Sequence, residues 1–416
     1  MAAKGTETKI SLTEMQIKDL QRAFEKGSFS DLSERLQEAL SNLENISLDV
    51  AITGEPGVGK STFINAFRDL HADDDNAAPT GESANSANTE PCPYPHPKYA
   101  KVVLWDLPSI GGPSFRPRDY LQQNNFSRYD FFIILSSRCF TSLHAKLAHY
   151  LQRVHKDVYF VRSKVDEDIE AGRREHPSGF SEAVALKEMR EACLGDLEAA
   201  GVKSPKVFLI SSFAFGKYDF PLLGETLWKD LDLQKSHSFL LAAPNISHRL
   251  LEKKRDVVAQ QLWLVAVVAC GVLPEPIPEV SVACDVELLI KTLRGYCVHF
   301  DLEESSLRKA ADQAGLPFGQ LRVLVRSPLS GEVTREGVLE RLTEAASKAP
   351  NLPKQLVPMA SMGLSFAVVY NMLKSFVDEA VADAHRVLLR VFMSQKPQNR
   401  SRADIQRDVE EDKSGA

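Results

Sequence analysis

The sequence predicts a doubly wound α/β domain with a mostly parallel sheet, joined to a second domain built from helices. The first observation is an alternation of apolar, strand-like runs with helical stretches between about residues 48 and 231. The second is a glycine-rich loop that directly follows the first of these runs. The third is the near absence of strand-like runs after about residue 236. Together these features predict one sheet covered on both faces, followed by a helical layer.

Two helices are predicted before the first strand, within residues 10–45. Ser11 and Glu14 fit a capping box at the start of the first helix. In the second helix, leucines at positions 32, 36, 40 and 43 form an apolar stripe. A packed helical hairpin and a partner-binding surface both fit such stripes, and packing is the commoner use. We therefore expect these helices to belong to a layer outside the sheet domain.

Five predicted strands follow, and most are nearly solid apolar runs, as in parallel strands that are covered on both faces. These strands are Leu48–Ile52, Ala100–Trp105, Phe131–Leu135, Val158–Val161 and Val207–Ile210. The predicted helices of this part are Thr62–Leu70, Leu143–Val154, Ser181–Ala200 and Phe220–Leu231. Later helices are predicted at 246–270, 281–300, 303–314 and 364–391, with breaks at Gly271–Pro278 and Arg326–Pro328. The polar residues 394–416 are expected to be disordered.

Composition limits the function classes. The chain of 416 residues is long enough for two or three domains, and its net charge of −6 argues against nucleic-acid binding. Its six cysteines include no C-x-x-C pair, so we expect reduced thiols rather than a zinc site or a disulfide framework. The N-terminus has no apolar signal core and no glycine at position 2. We expect a cytoplasmic protein.

The glycine-rich loop spells G-x-x-x-x-G-K-S between the first strand and the first helix of the alternating region. Its glycines allow backbone N–H groups to surround phosphates, and the helix N-terminus adds partial positive charge. Lys60 is expected to reach the outer phosphates, and the Ser61 hydroxyl to ligate Mg²⁺. The residues predicted to contact the nucleotide here are Gly54, Glu55, Pro56, Gly57, Val58, Gly59, Lys60, Ser61 and Thr62.

Further candidate ligands lie between this loop and the end of the next predicted strand. Asp106 ends that strand, where an aspartate commonly holds Mg²⁺ through water. The polar stretch Asp73–Pro97 is expected to be a switch segment. Within it, Thr80 is a candidate ligand of Mg²⁺ or the γ-phosphate, although an ordinary threonine in a Pro–Gly turn fits equally well. Ser109 follows Asp106 and is expected to present its N–H to the γ-phosphate.

A base-reading motif follows the fourth predicted strand. Ser163 to Asp166 fits the pattern [NT]-K-x-D with serine at its first place. The Asp166 carboxylate can accept from two neighbouring guanine N–H groups, which adenine lacks, so it would select GTP over ATP. The Lys164 stem is expected to cover one face of the base. Ser211 and Ser212 end the next strand, where a backbone N–H commonly meets the guanine oxygen.

These motifs and their order resemble the interferon-inducible, immunity-related GTPases. The resemblance rests on Gly54–Ser61, 77–81, 93–97, 105–108, 129–132, 159–166, 218–221, 293–296 and 326–329, and it covers about residues 10–392. Lys60 places the chain with the G-K-S members of that family rather than the G-M-S members. Residues 127–130 and 177–180 resemble the cinema-type member.

The resemblance implies a Ras-like P-loop GTPase domain and an all-α helical domain built from both ends of the chain. The implied segments are an N-terminal helical segment 1–45, a GTPase domain 46–235, a C-terminal helical domain 236–393 and a disordered tail 394–416. It also implies binding of GTP, GDP and Mg²⁺, and GTP-dependent self-association through the nucleotide domains. The implied action is dynamin-like, at intracellular membranes and at vacuoles that enclose pathogens, in innate defence.

Three departures from the family pattern concern hydrolysis. The usual D-x-P-G is Asp106–Ser109 here, with serine in the last place, and a Cβ restricts the backbone there. Ala84 stands where the family often has a glutamate important for hydrolysis, with Glu82 nearby. The switch stretch Thr80–Tyr94 is also about two residues longer than is usual in the family. We therefore expect GTP binding with slow or partner-dependent hydrolysis. The alternative is a nucleotide-binding scaffold with little catalysis; an ATPase would require Asp166 to be irrelevant.

Two uncharged stretches bear on membrane contact. Gln355–Leu373 just reaches the length of a membrane span, but polar residues interrupt it. A buried helix is the favoured interpretation over a membrane-inserting one. Leu262–Leu273 is shorter and fits either a core helix or a hydrophobic tip. Membrane association is therefore expected to be peripheral.

Overall fold

The computed structural model describes residues 36–38, 46–81, 90–111, 115–177, 179–214, 216–271, 274–277, 282–327, 332–347 and 363–395. Most of the predicted N-terminal helices, Glu82, Ala84 and nearly all of the predicted tail lie outside these residues. Leu36, Gln37 and Glu38 are helical, within the second predicted helix. The chain divides into two compact units, Asn45–Ile246, and Met1–Glu44 together with Ser247–Ala416.

The first unit is an α/β fold around one sheet. Its described strands are β1 Leu48–Gly54, β2 Cys92–Pro95, β3 Val102–Asp106, β4 Phe131–Ser136, β5 Asp157–Arg162 and β6 Val207–Leu209. They are ordered β2-β3-β1-β4-β5-β6. Each neighbouring pair is parallel except β2 with β3. The predicted doubly wound, mostly parallel sheet is thus confirmed, and all five predicted strands are present.

Strand β2 was not predicted. It lies near the end of Asp73–Pro97, the stretch that is expected to be a switch segment. Its prolines, Pro93 and Pro95, argue against a strand in a sheet interior, because proline cannot donate to the hydrogen-bond ladder. β2 escapes this restriction because it is the edge strand, where the N–H groups on one side need no partner strand.

Helices cover both faces of the sheet. The described helices of this unit are α1 Lys60–Phe67, α2 Pro117–Gln123, α3 Ser142–Arg153, α4 Val165–Glu175, α5 Glu182–Ala199, α6 Phe220–Asp230 and α7 Leu233–Ala242. Strand β4 is buried along its whole length. Its Ile133 shares one apolar cluster with Phe63 of α1, and its Ile134 shares another with Leu147 of α3. This two-sided burial explains the solid apolar runs in the sequence.

Three of these helices, α2, α4 and α7, were not predicted. Helix α4 begins directly after Lys164, whose left-handed backbone (φ 59°) ends the preceding loop. Its first turn carries Asp166, Glu167 and Asp168, which suit the positive end of the helix dipole. Helix α7 contacts β1 and β3, and so residues after 235 belong to the first unit. The four-segment division of the chain stays a prediction.

The second unit is mainly helical. Its described helices are α8 His248–Gly271, α9 Val286–His299, α10 Glu304–Ala314, α11 Phe318–Arg322, α12 Arg335–Ser347 and α13 Leu364–Gln395. The two longest, α8 and α13, pack along each other. A short antiparallel ribbon of β7 Glu275–Ile277 and β8 Val282–Cys284 precedes α9. The helix predicted from residue 281 therefore begins only at Val286, where the Asp285 carboxylate accepts from the Leu288 N–H at 2.9 Å.

The uncharged stretches form core in their described residues. Val265 to Ala269 in α8 are buried, and so are Phe366 to Tyr370 in α13. This matches the favoured interpretation of a buried helix for the described part of Gln355–Leu373; residues 355–362 lie outside the described residues. None of the helices that the structure describes combines the length and the apolarity that crossing a bilayer requires.

Candidate functional site

The phosphate loop connects the end of β1 to the start of α1 at the carboxyl edge of the sheet. Gly59 adopts the left-handed region with φ 91°, which a residue with a Cβ rarely enters. Gly54 faces a different restriction, since a Cβ there would lie 2.3 Å from the carbonyl oxygen of Leu135. Val58 is buried, whereas Pro56 and Gly57 are exposed. The two glycines thus permit a turn that carries the chain straight into the α1 N-terminus, the predicted place for phosphates.

Lys60, the first residue of α1, directs its ammonium group back over this loop. Its Nζ donates to the Ser109 hydroxyl at 2.8 Å and contacts the Glu55 carbonyl oxygen at 3.5 Å. Burial lowers the pKa of Lys60, and the nearby Asp106 carboxylate opposes that shift. The ammonium is therefore a partly desolvated cation, and such a group interacts strongly with an anion placed next to it.

Ser61 and Asp106 lie together as predicted for a metal site. The Ser61 hydroxyl donates to Asp106 Oδ2 at 3.3 Å. Asp106 is only 3% exposed, and its Oδ1 has no hydrogen-bond partner within the described residues. Burial raises the pKa of Asp106, although Lys60 and the Ser61 hydroxyl favour the charged form. A buried carboxylate oxygen without a partner beside a hydroxyl fits Mg²⁺, a hard cation that prefers oxygen ligands.

No group of three or more histidine, cysteine, aspartate or glutamate side chains suited to a metal occurs among the described residues. Mg²⁺ at a nucleotide site needs no such group, because it keeps several waters and takes further ligands from the substrate phosphates. The Ser61–Asp106 pair could therefore provide the protein ligands for a Mg²⁺ ion that is also bound by the nucleotide phosphates.

The segment after Asp106 is fixed to β1 by its backbone. Leu107 N–H donates to the Ile52 carbonyl at 2.9 Å, and Ile110 N–H donates to the Gly54 carbonyl at 3.0 Å. These bonds bracket Pro108 and Ser109 and bring Ser109 against the phosphate loop. Ser109 therefore lies beside Lys60, and its contact with the γ-phosphate stays a prediction.

Thr80 is not joined to the phosphate loop. It is half-buried, and in the part of the chain that the structure describes it makes no hydrogen bond with Lys60, Ser61 or Asp106. The chain just before it is nevertheless held in place. Asn65 of α1 donates to the Ala78 carbonyl at 2.8 Å and accepts from the Ala78 N–H at 2.7 Å. Asn65 was missed by sequence reasoning, since a lone asparagine inside a helix carries no local signal.

The predicted base-reading loop contacts the phosphate loop directly. The buried Ser163 hydroxyl donates to the Val58 carbonyl at 2.6 Å and lies 3.3 Å from the Ser136 carbonyl oxygen. Serine in the first place of the motif therefore links the two nucleotide loops. Lys164 is half-buried, with its ammonium 3.9 Å from a Glu167 carboxylate oxygen. The Asp166 carboxylate is half-buried and, among the described residues, accepts no hydrogen bond, so both oxygens are available to a ligand.

The end of β6 completes this edge of the sheet. The Val165 N–H donates to the Ile210 carbonyl at 3.2 Å, which brings the residues after β6 beside the start of α4. The buried Ser211 hydroxyl accepts from the N–H groups of Phe213 and Ala214 at 3.2 and 3.1 Å. Ser212, which is half-buried, therefore lies in a tight turn between these contacts. These bonds occupy the Phe213 and Ala214 N–H groups, and the contact of this turn with the guanine oxygen stays a prediction.

The family model and the relatives that match this chain carry the same family description. The family model described as "Interferon-inducible GTPase (IIGP)" matches residues 13–391. The chain is 41% identical to Interferon-inducible GTPase 5 of Bos taurus, over 92% of this chain and 84% of that protein. It is 34% identical to Interferon-gamma-inducible GTPase 10 of Mus musculus, over 92% and 90% of the two chains.

Among the solved structures that match is one of a probable GTP-binding protein engB. It is 12% identical to this chain and covers 44% of it and 97% of its own length, with a TM-score of 0.25. Such a loose fit supports no argument about function.

Proposed function

The chain belongs to the interferon-inducible GTPase family, and from that premise we propose that its phosphate loop and base-reading loop bind one molecule of GTP. The chain is a GTPase by that membership. The observation that carries the proposed site is the 2.6 Å hydrogen bond from Ser163 to the Val58 carbonyl. It ties the loop that would read the base to the loop that would hold the phosphates, so both ends of one nucleotide meet a single framework.

In the proposed site, Lys60 holds the outer phosphates as a partly desolvated cation. Ser61 would be a ligand of Mg²⁺, and Asp106 would support the metal, a role for which its Oδ1, unpartnered among the described residues, is available. Bound Mg²⁺ supplies positive charge to the phosphates. Thr80 is the further candidate for a contact with the metal or the γ-phosphate. Ala78, two residues before Thr80, is hydrogen-bonded to Asn65 of α1.

Guanine selection is proposed to depend on Asp166, with Lys164 covering one face of the base and Ser211 and Ser212 placing N–H groups near the guanine oxygen. The Asp166 carboxylate matches the paired donors of guanine, and adenine, which lacks them, would leave the carboxylate without its partners. Its oxygens make no competing hydrogen bond within the described residues, which supports this role.

Asp166→Asn tests the base assignment. We expect GTP affinity to fall about thirtyfold, because an amide matches only one of the two guanine donors and one charge-assisted hydrogen bond is lost. Xanthosine triphosphate, which offers an acceptor in place of the amino group, should bind the variant better than the parent. Titration with labelled nucleotides measures both affinities. Asp168→Asn, two residues further along α4, is the matched control. Unchanged GTP affinity in Asp166→Asn would contradict the assignment.

Slow or partner-dependent hydrolysis is part of the same proposal. Its structural support is the 2.8 Å hydrogen bond between Lys60 and the Ser109 hydroxyl. A glycine at position 109 would offer no side chain to Lys60, whereas serine gives the cation an internal partner that competes with phosphate. The same contact favours the second candidate, a GTP-binding scaffold whose nucleotide state controls partner binding with little turnover.

Self-association and membrane action extend the proposal beyond the nucleotide site. We propose GTP-dependent assembly through the nucleotide domains and peripheral action of a cytoplasmic protein at intracellular or pathogen-containing membranes in innate defence. The support for assembly and membrane action is the family resemblance, whereas the names of the relatives speak only of interferon induction and GTPase activity. Turnover that rises with protein concentration would distinguish an assembling GTPase from the scaffold, because assembly brings the nucleotide domains together.

A further inference from the structure

Tyr120 of α2 extends its hydroxyl group to the segment between Asp106 and Ser109. The hydroxyl lies 2.7 Å from the Pro108 carbonyl oxygen and 2.7 Å from the Thr53 hydroxyl. Tyr120 is 8% exposed and Thr53 is fully buried in β1. A carbonyl oxygen can only accept, so Tyr120 donates to Pro108 and Thr53 donates to Tyr120. Burial raises the pKa of Tyr120, which keeps the phenol protonated and able to donate.

The Pro108 carbonyl and the Ser109 N–H belong to the same peptide unit. Because a peptide unit is planar and trans, the direction of its C=O fixes the direction of its N–H on the opposite side. A hydrogen bond on the Pro108 oxygen therefore aims the Ser109 N–H. Among the described residues, no group accepts a hydrogen bond from that N–H. The Pro108 carbonyl oxygen is thus hydrogen-bonded, whereas the Ser109 N–H, among the described residues, is available to a ligand.

Ser109 is also located by its side chain. Its hydroxyl accepts from Lys60, the residue that would hold the outer phosphates. The Ser109 N–H therefore lies on a residue that is already in contact with the phosphate-binding cation. An anion beside Lys60 is the acceptor that this arrangement is suited to meet.

We propose that Tyr120 is a positioning residue that directs the Ser109 N–H toward the terminal phosphate of GTP, so that it favours GTP over GDP. This inference rests on the proposed function. In the proposed site, Tyr120 contacts neither the nucleotide nor the metal. It acts through the Pro108–Ser109 peptide, and Thr53 orients its hydroxyl.

Tyr120→Phe tests the inference, because it removes only the hydroxyl and keeps the buried ring. The probes are GDP and a non-hydrolysable GTP analogue, titrated with Mg²⁺ against the full chain. We expect the affinity for the analogue to fall about fivefold, the factor for one neutral hydrogen bond. The affinity for GDP should stay within about twofold, a change well below the loss of one hydrogen bond.

The matched control is Tyr159→Phe, which removes another buried tyrosine hydroxyl in the same unit, bonded to Asp230 at 2.8 Å. It should leave the ratio of the two affinities unchanged. If Tyr120→Phe unfolds the protein, Thr53→Val is the second variant, and it should lower the same ratio by a smaller factor. Thermal unfolding of each variant reports on folding.

Two results would overturn the inference: equal affinities in Tyr120→Phe and the parent, or an equal fall for both nucleotides. The second would mean that Tyr120 supports the phosphate loop as a whole. Failure of the proposed function has a different signature, since the parent itself would then bind neither nucleotide.

Discussion

Lys60→Ala is expected to lower the affinity for GTP about a hundredfold, equivalent to about 3 kcal/mol, because charge-assisted hydrogen bonds to phosphate are lost. Lys60 is the cation that the structure directs over the phosphate loop, with its Nζ on the Ser109 hydroxyl and the Glu55 carbonyl. The loss should be larger for GTP than for GDP, since the outer phosphates are its expected partners. Fluorescence titration with labelled GTP and GDP measures both affinities.

The control for this variant is Lys101→Ala, a change at an exposed position between β2 and β3. It removes the same charge from the protein surface and should leave both affinities unchanged. A Lys60→Ala protein that binds GTP as tightly as the parent would contradict the assignment of the phosphate loop. The unfolding temperature should change little, because the variant removes a cation whose pKa is lowered by the cost of its own burial.

Asp383→Ala is expected to destabilise the helical unit by about 3–5 kcal/mol, the usual cost of removing one partner from a buried charged contact. Asp383 of α13 is fully buried. Its carboxylate accepts from the N–H groups of Arg326 and Ser327 at 3.0 and 2.8 Å, and from the Arg386 guanidinium. Without it, two backbone N–H groups lose their acceptor, and the Arg386 guanidinium loses its carboxylate partner while keeping the Leu324 carbonyl at 3.0 Å.

Amide hydrogen exchange measures this effect locally, because the Arg326 and Ser327 amides are themselves the donors. We expect exchange at these amides to be at least about a hundredfold faster in Asp383→Ala, the factor that corresponds to about 3 kcal/mol. Asp378→Ala is the matched control on the same helix, since Asp378 is half-exposed and its carboxylate pairs with Lys374 at 2.7 Å. Equal protection in Asp383→Ala and the parent would show that α13 does not anchor residues 326–327.

The sheet was predictable from the sequence because its strands are buried on both faces. Phe131 to Leu135 reads as a solid apolar run for that reason, and β1, β3, β5 and β6 follow the same rule. The edge strand β2 carries no such run. Pro93 and Pro95 mark it as irregular chain, and only its position at the edge of the sheet explains why they are tolerated.

The site was predictable where its residues are consecutive. Gly54–Ser61 and Ser163–Asp166 are local motifs, and the fold brings both to the carboxyl edge of the sheet. Contacts between distant residues left no trace in the sequence. Tyr120 bonds to Thr53, 67 residues away, and Asn65 holds Ala78, 13 residues away. Asp383 reaches Arg326 across 57 residues. Such pairs depend on tertiary packing, which no periodicity records.

Phosphate release from GTP in the presence of Mg²⁺, measured over a range of protein concentrations, tests whether the chain is a GTPase that is activated by self-assembly. We expect slow release at low concentration, because the Ser109 hydroxyl competes with phosphate for Lys60. The turnover per molecule should rise with concentration, because assembly brings the nucleotide domains together. ATP in place of GTP, and removal of Mg²⁺ by a chelator, should each abolish the release. Tight GTP binding without phosphate release at any concentration would contradict hydrolysis activated by assembly. Equal release from ATP would contradict selection of guanine by Asp166.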